Sequence, residues 1–321
     1  MELWIQFAGG LALLAVGGEA VVRGAVGVAR RLGVSELLIG LTLVGFGTST
    51  PELLTSVSAA LRGSDGVAVG NVVGSNISNI LLIAALAAIA RPIAVARAAI
   101  FRDGALMIAA SVALAAYAFF IPTLERWAGA MLLLLLIAYL WSTWRLERGS
   151  ERPSAELHRA GSHAYDPAPP GLWLSLSFAV GGIAALIFGA DLLVQGAIAL
   201  ARMAGLSETV IGLSIVALGT SLPELVATLA AAAKGRSDVA FGNVVGSNIY
   251  NVLGVLGVTA LVRPLAIPLD LGVVDWAAFI GAAVLLNFHA WAGARISRGE
   301  GAFLLGLYLL YVTYLVARGG F

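Results

Sequence analysis

Apolar stretches long enough to cross a membrane follow one another along almost the whole chain. A spanning helix needs about 20 mainly apolar residues. Hydropathy predicts ten such spans, near 3–29, 34–60, 66–90, 98–120, 124–144, 172–201, 207–233, 239–262, 272–292 and 300–318. Because no basic segment or small-residue cleavage site accompanies the first stretch, we interpret it as a retained helix and not as a signal peptide.

Composition supports the membrane interpretation and excludes other classes of protein. Of the 321 residues, 60% are hydrophobic and 12% are charged, whereas soluble chains are about 45–50% apolar and about 25% charged. The chain has no cysteine and a net charge of +1, which excludes a disulfide scaffold and leaves no basic face for nucleic acid. We therefore expect an all-α membrane protein whose partners include the lipid bilayer and no nucleic acid.

One long polar stretch divides the spans into two groups of five. Residues 146–171 are rich in charge and proline, which is typical of a linker. With the N-terminus outside, 13 Lys and Arg residues fall in cytoplasmic connections and 5 on the opposite side. Basic residues favour the cytoplasmic side. The sequence thus predicts two units, 1–145 and 172–321, with a cytoplasmic linker and both termini outside.

The two units are copies of each other. A shift of 172 residues aligns Gly45–Ile80 with Ala217–Val252 without a gap, and 20 of the 36 positions are identical. A copy with an odd number of spans inserts in the opposite sense. The sequence therefore predicts ten transmembrane helices as two inverted five-helix repeats, an architecture typical of secondary transporters with a site at the repeat interface. The alternative is a duplicated structural unit without a transport role.

The second span of each copy places a proline next to a carboxylate within apolar sequence, at Pro51-Glu52 and Pro223-Glu224. A proline inside a helix frees the carbonyl four residues earlier, and a carboxylate at membrane depth is costly unless it has a function. Hydroxyls at Thr48 and Ser49 share the face of Glu52. Hydroxyl, carboxylate and carbonyl oxygens are ligands for alkali and alkaline-earth cations.

The third span of each copy carries a stripe of amides and a hydroxyl. Asn71, Ser75 and Asn79 are four residues apart, and the shift of 172 carries them to a matching set: Asn243, Ser247 and Asn251. Such a stripe can simply join helices by hydrogen bonds. Its repetition next to a Pro-Glu break favours a cation site, with Asn71 and Asn243 as the members that we expect to be structural.

These motifs closely resemble the two α-repeats of the cation/calcium exchanger superfamily, and the sodium/calcium exchanger branch is the most similar. The resemblance spans all ten predicted helices and rests on two doubled motifs: Gly47-Thr48-Ser49-x-Pro51-Glu52 with Gly70-Asn71-x-x-Gly74-Ser75-Asn76-x-x-Asn79, and their copies. It implies exchange of Ca²⁺ for Na⁺ by alternating access. No cofactor is implied, since Ca²⁺ and Na⁺ are the transported ions.

The resemblance also implies a set of ligands. Two carboxylates, two carbonyls and two amides would bind Ca²⁺: Glu52, Glu224, Thr48, Thr220, Asn79 and Asn251. Each Na⁺ site would combine two serines, a threonine and a carbonyl: Ser49, Ser75 and Thr48 with Gly45, and Ser221, Ser247 and Thr220 with Ala217. In this family the first and sixth helices slide across the rest, and glycines here fit such a surface: Gly9, Gly10, Gly17, Gly18, Gly181 and Gly182.

One position departs from the family pattern. Many sodium/calcium exchangers have an aspartate where this chain has Asn251. The site then has two formal charges, which match one Ca²⁺, and the coupling ion stays open between Na⁺, K⁺ and H⁺. The Ca²⁺/H⁺ branch usually has a glutamate where Gly74 and Gly246 stand here, which favours Na⁺.

Two other classes of function compete with an exchanger. A zinc protease would need a motif such as His-Glu-x-x-His, and the three histidines, His158, His163 and His289, do not form one; we expect no enzyme. Rings of hard oxygen ligands also suit a passive cation channel, which stays an alternative. We expect a protein that functions as a monomer in a prokaryotic cytoplasmic membrane.

Overall fold

The computed structural model describes residues 2–32, 45–147 and 171–318. Most of the predicted linker, 146–171, lies outside these ranges. The same holds for the first part of the predicted second span, residues 33–44, so that span is described only from residue 45 onwards. The fold below is that of the described residues.

The helices follow the predicted spans to within a few residues. Those of the first unit are α1 (Glu2–Arg31), α2 (Gly45–Thr48), α3 (Thr50–Leu61), α4 (Asp65–Ala90), α5 (Arg97–Phe120) and α6 (Arg126–Glu147). Those of the second are α7 (Leu172–Ala204), α8 (Glu208–Thr220), α9 (Leu222–Ala233), α10 (237–262), α11 (Val273–Gly293) and α12 (Arg298–Arg318). Eight of the described helices are long and apolar enough to cross a membrane, or nine if the bent pair α8–α9 is one span.

Short π-helical turns interrupt four of these helices. They are Asn79–Ala84 in α4, Ile100–Gly104 in α5, Gly212–Val216 in α8 and Tyr250–Val255 in α10. When the two copies are aligned by the shift of 172, the turn in α10 begins one residue earlier than the turn in α4. The two turns include Asn79 and Asn251. Because a π-turn inserts an extra residue, it rotates the side chains that precede it relative to those that follow, and it is frequent at functional sites.

The centre of the bundle is formed by α4 and α10. Most of their residues are buried, whereas most residues in the apolar stretches of α5, α6, α11 and α12 are half-buried or exposed. A helix that is apolar all round is stable only inside a protein or a membrane. Since the exposed helices carry large apolar side chains such as Phe119, Trp141 and Leu310 on the outside, their outer surface suits lipid.

Helices α1 and α7 pack against each other in antiparallel fashion along most of their length. Glycines allow the close approach: a Cβ on Gly10 would lie 2.7 Å from the backbone nitrogen of Leu193, and one on Gly17 would lie 3.0 Å from the carbonyl oxygen of Gly182. The expectation that these glycines face the rest of the bundle is therefore wrong for Gly10, Gly17 and Gly182. Gly18 does face it, since a Cβ on Gly18 would lie 3.6 Å from Cγ of Pro51.

Four two-residue strands lie in the connections between the helices of this helical protein. The strands are β1 (Ile93–Ala94), β2 (Thr123–Leu124), β3 (Leu265–Ala266) and β4 (Arg295–Ile296). β1 pairs with β4 and β2 pairs with β3, both antiparallel. The shift of 172 carries β1 onto β3 and β2 onto β4. Each strand of the first unit thus pairs with the copy of that unit's other strand. The pairing satisfies backbone groups of the connections between helices, which hydropathy does not predict.

An ion pair joins the units beside the β2–β3 ladder. The guanidinium Nη1 of Arg263 lies 2.7 Å from Oδ1 of Asp65 and also donates to the carbonyl of Ala60. The repeat carries Arg263 onto Arg91, but it carries Asp65 onto Ser237. At that end the Ser237 hydroxyl donates to the carbonyl of Pro92 instead, at 3.5 Å. The contacts of Asp65 and of its copy Ser237 therefore differ.

Candidate functional site

Two helix breaks position the two candidate carboxylates. Ser49 separates α2 from α3 with φ −87° and ψ 7°, and Ser221 separates α8 from α9 with φ −83° and ψ 8°. The second break bends the chain by 48°. Each proline follows its break by two residues and has no N–H for the carbonyl four residues earlier. Glu52 and Glu224 thereby lie in the first turn of a helix, where the helix dipole favours negative charge.

Both carboxylates are buried, with exposed fractions of 0% for Glu52 and 1% for Glu224. Each accepts a hydrogen bond from a serine of the other unit. Ser221 Oγ donates to Oε1 of Glu52 at 3.0 Å, and Ser49 Oγ donates to Oε1 of Glu224 at 3.2 Å. Each carboxylate therefore lies next to the helix break of the opposite unit, and that unit supplies one of its hydrogen-bond donors.

Four buried oxygens in this region accept no hydrogen bond. They are Oε2 of Glu52, Oε2 of Glu224, Oδ1 of Asn79 and Oδ1 of Asn251. A buried polar atom without a partner costs free energy, and native structures rarely keep one without a reason. Two carboxylate and two amide oxygens form a ligand set that suits a hard cation. Thr55 Oγ1, one turn beyond Glu52, is also buried without a partner, and its copy is Ala227.

The predicted grouping of the hydroxyls is wrong for Ser75 and Ser247. Ser75 Oγ donates to the carbonyl of Ala217 at 3.4 Å and lies 3.5 Å from Oγ1 of Thr220, so it groups with the second unit and not with Thr48. Ser247 Oγ donates to Oε1 of Glu224 at 3.5 Å, the oxygen that Ser49 also contacts. The exchange follows from the packing of α4 against α8 of the opposite unit.

The remaining predicted ligands border the same region. Thr48 lies beside Glu224, and Thr220 beside Glu52. Thr48 and Thr220 are buried, as is Ala217. Gly45 is the first residue of α2. All twelve predicted ligands thus lie on the broken spans or on α4 and α10.

Asn71 and Asn243 brace the backbone of the two broken spans. Asn71 Nδ2 donates to the carbonyl of Glu52 at 3.2 Å and to the Ser56 hydroxyl at 3.0 Å. Asn243 Nδ2 makes the corresponding contacts with the carbonyl of Glu224 at 3.4 Å and with Thr228 at 2.8 Å. Their side chains hold the carboxylate-bearing helices, which agrees with the structural role expected for them.

Two further asparagines, which the predicted site does not include, join the units. Asn251 Nδ2 donates to Oδ1 of Asn76 at 2.9 Å, and Asn79 Nδ2 donates to Oδ1 of Asn248 at 3.3 Å. Asn76 and Asn248 are buried. The sequence signal that could have identified them is their preservation in both copies of the Gly-Ser-Asn motif.

In the described part of the chain, the charge of the region comes from the two carboxylates of Glu52 and Glu224. Among the described residues, no group of three or more His, Cys, Asp or Glu side chains could hold a metal ion. The other oxygens around Glu52 and Glu224 are neutral hydroxyls, amides and carbonyls. Two negative charges balance one divalent cation or two monovalent ones.

Comparisons with known proteins agree with this chemistry. The sequence model of the family described as sodium/calcium exchanger protein matches residues 2–145 and again residues 174–317, two matches offset by the repeat shift of 172. The chain is 39% identical over 316 residues to the putative antiporter CaxA of Alkalimonas amylolytica, which covers 94% of this chain and 95% of that protein.

An archaeal relative and a solved structure extend the likeness. The chain is 32% identical over 337 residues to the sodium/calcium exchanger MaX1 of Methanosarcina acetivorans, which covers 96% of this chain and 95% of that protein. It matches a structure of the sodium-calcium exchanger NCX_Mj soaked with 2.5 mM Na⁺ and 10 mM Sr²⁺, with TM-score 0.64, 33% identity and coverage of 98% of this chain and 99% of that one.

These relatives are named as an antiporter and as exchangers, not as enzymes, and they come from bacteria and archaea. The resemblance inferred from the doubled motifs is confirmed. Together with the apolar helices, the two family matches lead to one conclusion: this multi-pass helical membrane protein belongs to the prokaryotic branch of the sodium/calcium exchanger family.

Proposed function

We propose that this protein is a secondary active antiporter that exchanges Ca²⁺ for Na⁺ at a site built on Glu52 and Glu224. The observation that carries the proposal is the pair of buried carboxylates, each with one oxygen that has no partner. The names of the relatives, a sodium/calcium exchanger among them, support the choice of ions. The amide oxygens of Asn79 and Asn251 complete the divalent-cation ligands.

Charge balance explains how exchange can be coupled. Two carboxylates in a medium of low polarity repel each other unless a cation neutralises them. A protein with an empty site therefore resists the conformational change that opens the site to the other side of the membrane. A protein whose site holds one Ca²⁺, or two or more Na⁺, undergoes this change readily. Because both ions need the same two carboxylates, they exclude each other, and transport of one requires return of the other.

The two sodium sites flank the carboxylates in the grouping that the contacts favour. Ser75 and Thr220, with the carbonyl of Ala217, lie next to the Glu52 side. Ser49 and Ser247 converge on Glu224, and Thr48 and the carbonyl of Gly45 complete that side. Each proposed sodium site combines groups from both units, so binding of Na⁺ joins the two units at the site.

We propose the ten-helix arrangement of two inverted repeats, with units 1–145 and 172–321 and a cytoplasmic linker at 146–171. Strand pairing supports the inversion. β1 and β2 lie at opposite ends of α5, and β3, the copy of β1, pairs with β2. The copies therefore lie at opposite ends of the bundle. The bias of basic residues places both termini outside.

Burial of the carboxylates favours an exchanger over a passive channel. A conducting channel keeps its ion-binding groups in contact with water on both sides, whereas Glu52 and Glu224 are screened from solvent. Alternating access needs such a closed site in at least one state. Transport by the purified chain as a monomer is part of the proposal, since every contact of the site lies within one chain.

The experiment is ⁴⁵Ca²⁺ uptake by purified protein in liposomes, driven in turn by outward Na⁺, K⁺ and H⁺ gradients. We expect uptake with the Na⁺ gradient. Uptake with K⁺ or H⁺ alone would show a different coupling ion, and uptake that needs no counter-ion would show a channel.

The carboxylates are tested by matched substitutions. Glu52→Gln and Glu224→Gln should each abolish Na⁺-driven uptake, since one charge cannot balance Ca²⁺. Glu125→Gln makes the same chemical change at an exposed residue next to the β2–β3 ladder and should leave uptake unchanged. Unimpaired transport by either site variant would remove that residue from the site.

A further inference from the structure

The orientation of the two site amides is set by their neighbours. An asparagine amide has a donor end and an acceptor end on opposite sides of Cγ, so fixing one end fixes the other. The nitrogens of Asn251 and Asn79 donate across the interface to Asn76 and Asn248, at 2.9 and 3.3 Å. Their Oδ1 atoms must then point away from these partners, and both are buried without a hydrogen bond.

Asn76 is itself fixed. Its Nδ2 donates to the backbone carbonyl of Asn248 at 3.1 Å, and its side chain is 2% exposed. Turning the amide of Asn76 over would place its oxygen against that carbonyl and leave both oxygens without a donor. Asn76 Oδ1 therefore faces Asn251 as an acceptor, and it accepts only from a residue that has a proton to give.

We propose that Asn76 and Asn248 are positioning residues that aim the amide oxygens of Asn251 and Asn79 at the transported cation. This inference rests on the proposed function.

The two positioning residues differ in how firmly their own side chains are held. Asn248 Nδ2 donates to the thioether sulfur of Met107 at 3.4 Å, and a thioether is a weak acceptor. Asn76 is held by a backbone carbonyl, which is a strong one. Asn248 also lies farther from the nitrogen that it orients. We therefore expect a larger effect from Asn76→Ala than from Asn248→Ala.

The test is a double-mutant cycle on positions 76 and 251, measured as Ca²⁺ affinity of purified protein and as the KM and maximal rate of Na⁺-driven ⁴⁵Ca²⁺ uptake. With Asn251 present, Asn76→Ala frees the amide of Asn251 to rotate, so that its nitrogen can face the cation. We expect the KM for Ca²⁺ to rise about tenfold while the maximal rate changes by less than about twofold. Asn287→Ala removes a buried amide that donates only within its own helix and should leave KM unchanged.

The second background separates positioning from general stability. Both oxygens of a carboxylate are acceptors, so an aspartate at position 251 presents an oxygen to the cation whichever way it turns. In the Asn251→Asp protein, Asn76→Ala therefore has no amide to release, and KM should stay constant. A rise in KM in both backgrounds would assign Asn76 a structural role and overturn the inference, as would an unchanged KM in the Asn251 background.

The outcomes also separate this inference from the proposed function. If the unsubstituted protein shows no Ca²⁺ binding, or if Glu52→Gln leaves Na⁺-driven uptake intact, the proposed function itself fails. If Glu52→Gln abolishes uptake while Asn76→Ala leaves KM at its original value, the function stands and the positioning role fails.

Discussion

Ser49 and Ser221 show how the two carboxylates depend on the opposite unit. Each serine lies at a helix break, where its backbone is free of regular helix geometry, and its hydroxyl reaches the glutamate of the other copy. A hydrogen bond to a charged group contributes about 1.5–3 kcal/mol. The serines therefore fix the carboxylate oxygens in position before a cation binds.

Substitution of Ser221 should weaken cation binding. Ser221→Ala removes the donor to Oε1 of Glu52, 3.0 Å away, and we expect the KM for Ca²⁺ in Na⁺-driven uptake to rise about tenfold. Ser111→Ala is the matched control, because Ser111 is equally buried and donates only to the carbonyl of Met107 in its own helix. A KM equal to that of the control would contradict the role of Ser221.

At the scale of the element, glycines join α1 and α7 into one closely packed pair. The glycines that contact the opposite helix recur every seven residues in α1, at Gly10, Gly17 and Gly24. Seven residues are close to two helical turns, so they form one stripe. Because this stripe faces α7 and not the bundle, any sliding of these helices across the rest would move them as a pair.

Neighbouring glycines provide the test of this packing. A Cβ on Gly10 would lie within 3.0 Å of backbone atoms of α7, whereas one on Gly9 would meet nothing within 4 Å. Gly10→Ala should lower the free energy of unfolding by about 1–3 kcal/mol through overpacking. Gly9→Ala should be neutral or stabilising, since alanine favours a helix by up to about 1 kcal/mol. Thermal unfolding in detergent measures both, and equal shifts would contradict the close approach.

Local sequence predicted most elements because their causes are local. Hydropathy gave the helix bounds to within a few residues, and Pro51 and Pro223 marked the breaks, since a proline acts on its own helix. The partners of Ser75 and Asn76 could not be read in this way. A repeat shows that two residues are equivalent, but tertiary packing decides whether a side chain contacts residues of its own unit or of the other unit.

At the scale of the whole molecule, the two units interlock. Both strand ladders, the α1–α7 contact and the serine–glutamate bonds all run between units. These contacts do not pass through the linker. Covalent continuity across residues 148–170 is therefore not what holds the site together.

Cutting the linker should leave a functional protein. We expect co-expressed segments 1–159 and 160–321 to copurify through a tag on one of them and to restore Na⁺-driven ⁴⁵Ca²⁺ uptake in liposomes. Either segment alone should be inactive, because each glutamate then lacks the opposite serine. Failure of the two segments to copurify would show that the contacts between units are too weak to assemble them.

The inverted orientation can be tested with single cysteines, since the chain has none of its own. Leu269→Cys and Ala96→Cys lie in copies of the same connection, after β3 and β1, and both positions are exposed. An impermeant maleimide should label the first on intact cells and the second only after permeabilisation. Labelling of both from the same side would contradict the inversion.

The ion pair between Arg263 and Asp65 uses a position at which the two units differ, since the copy of Asp65 is Ser237. If the two units were identical, the inward-facing and outward-facing states would be related by a two-fold rotation and would have equal free energy. The units differ in sequence, at Asp65 and Ser237 among other positions, and such differences remove that degeneracy. A difference of about 1.4 kcal/mol changes a population ratio tenfold, so under the proposed alternating access an uneven pair of repeats would give the protein a preferred resting side even before any ion gradient acts on it.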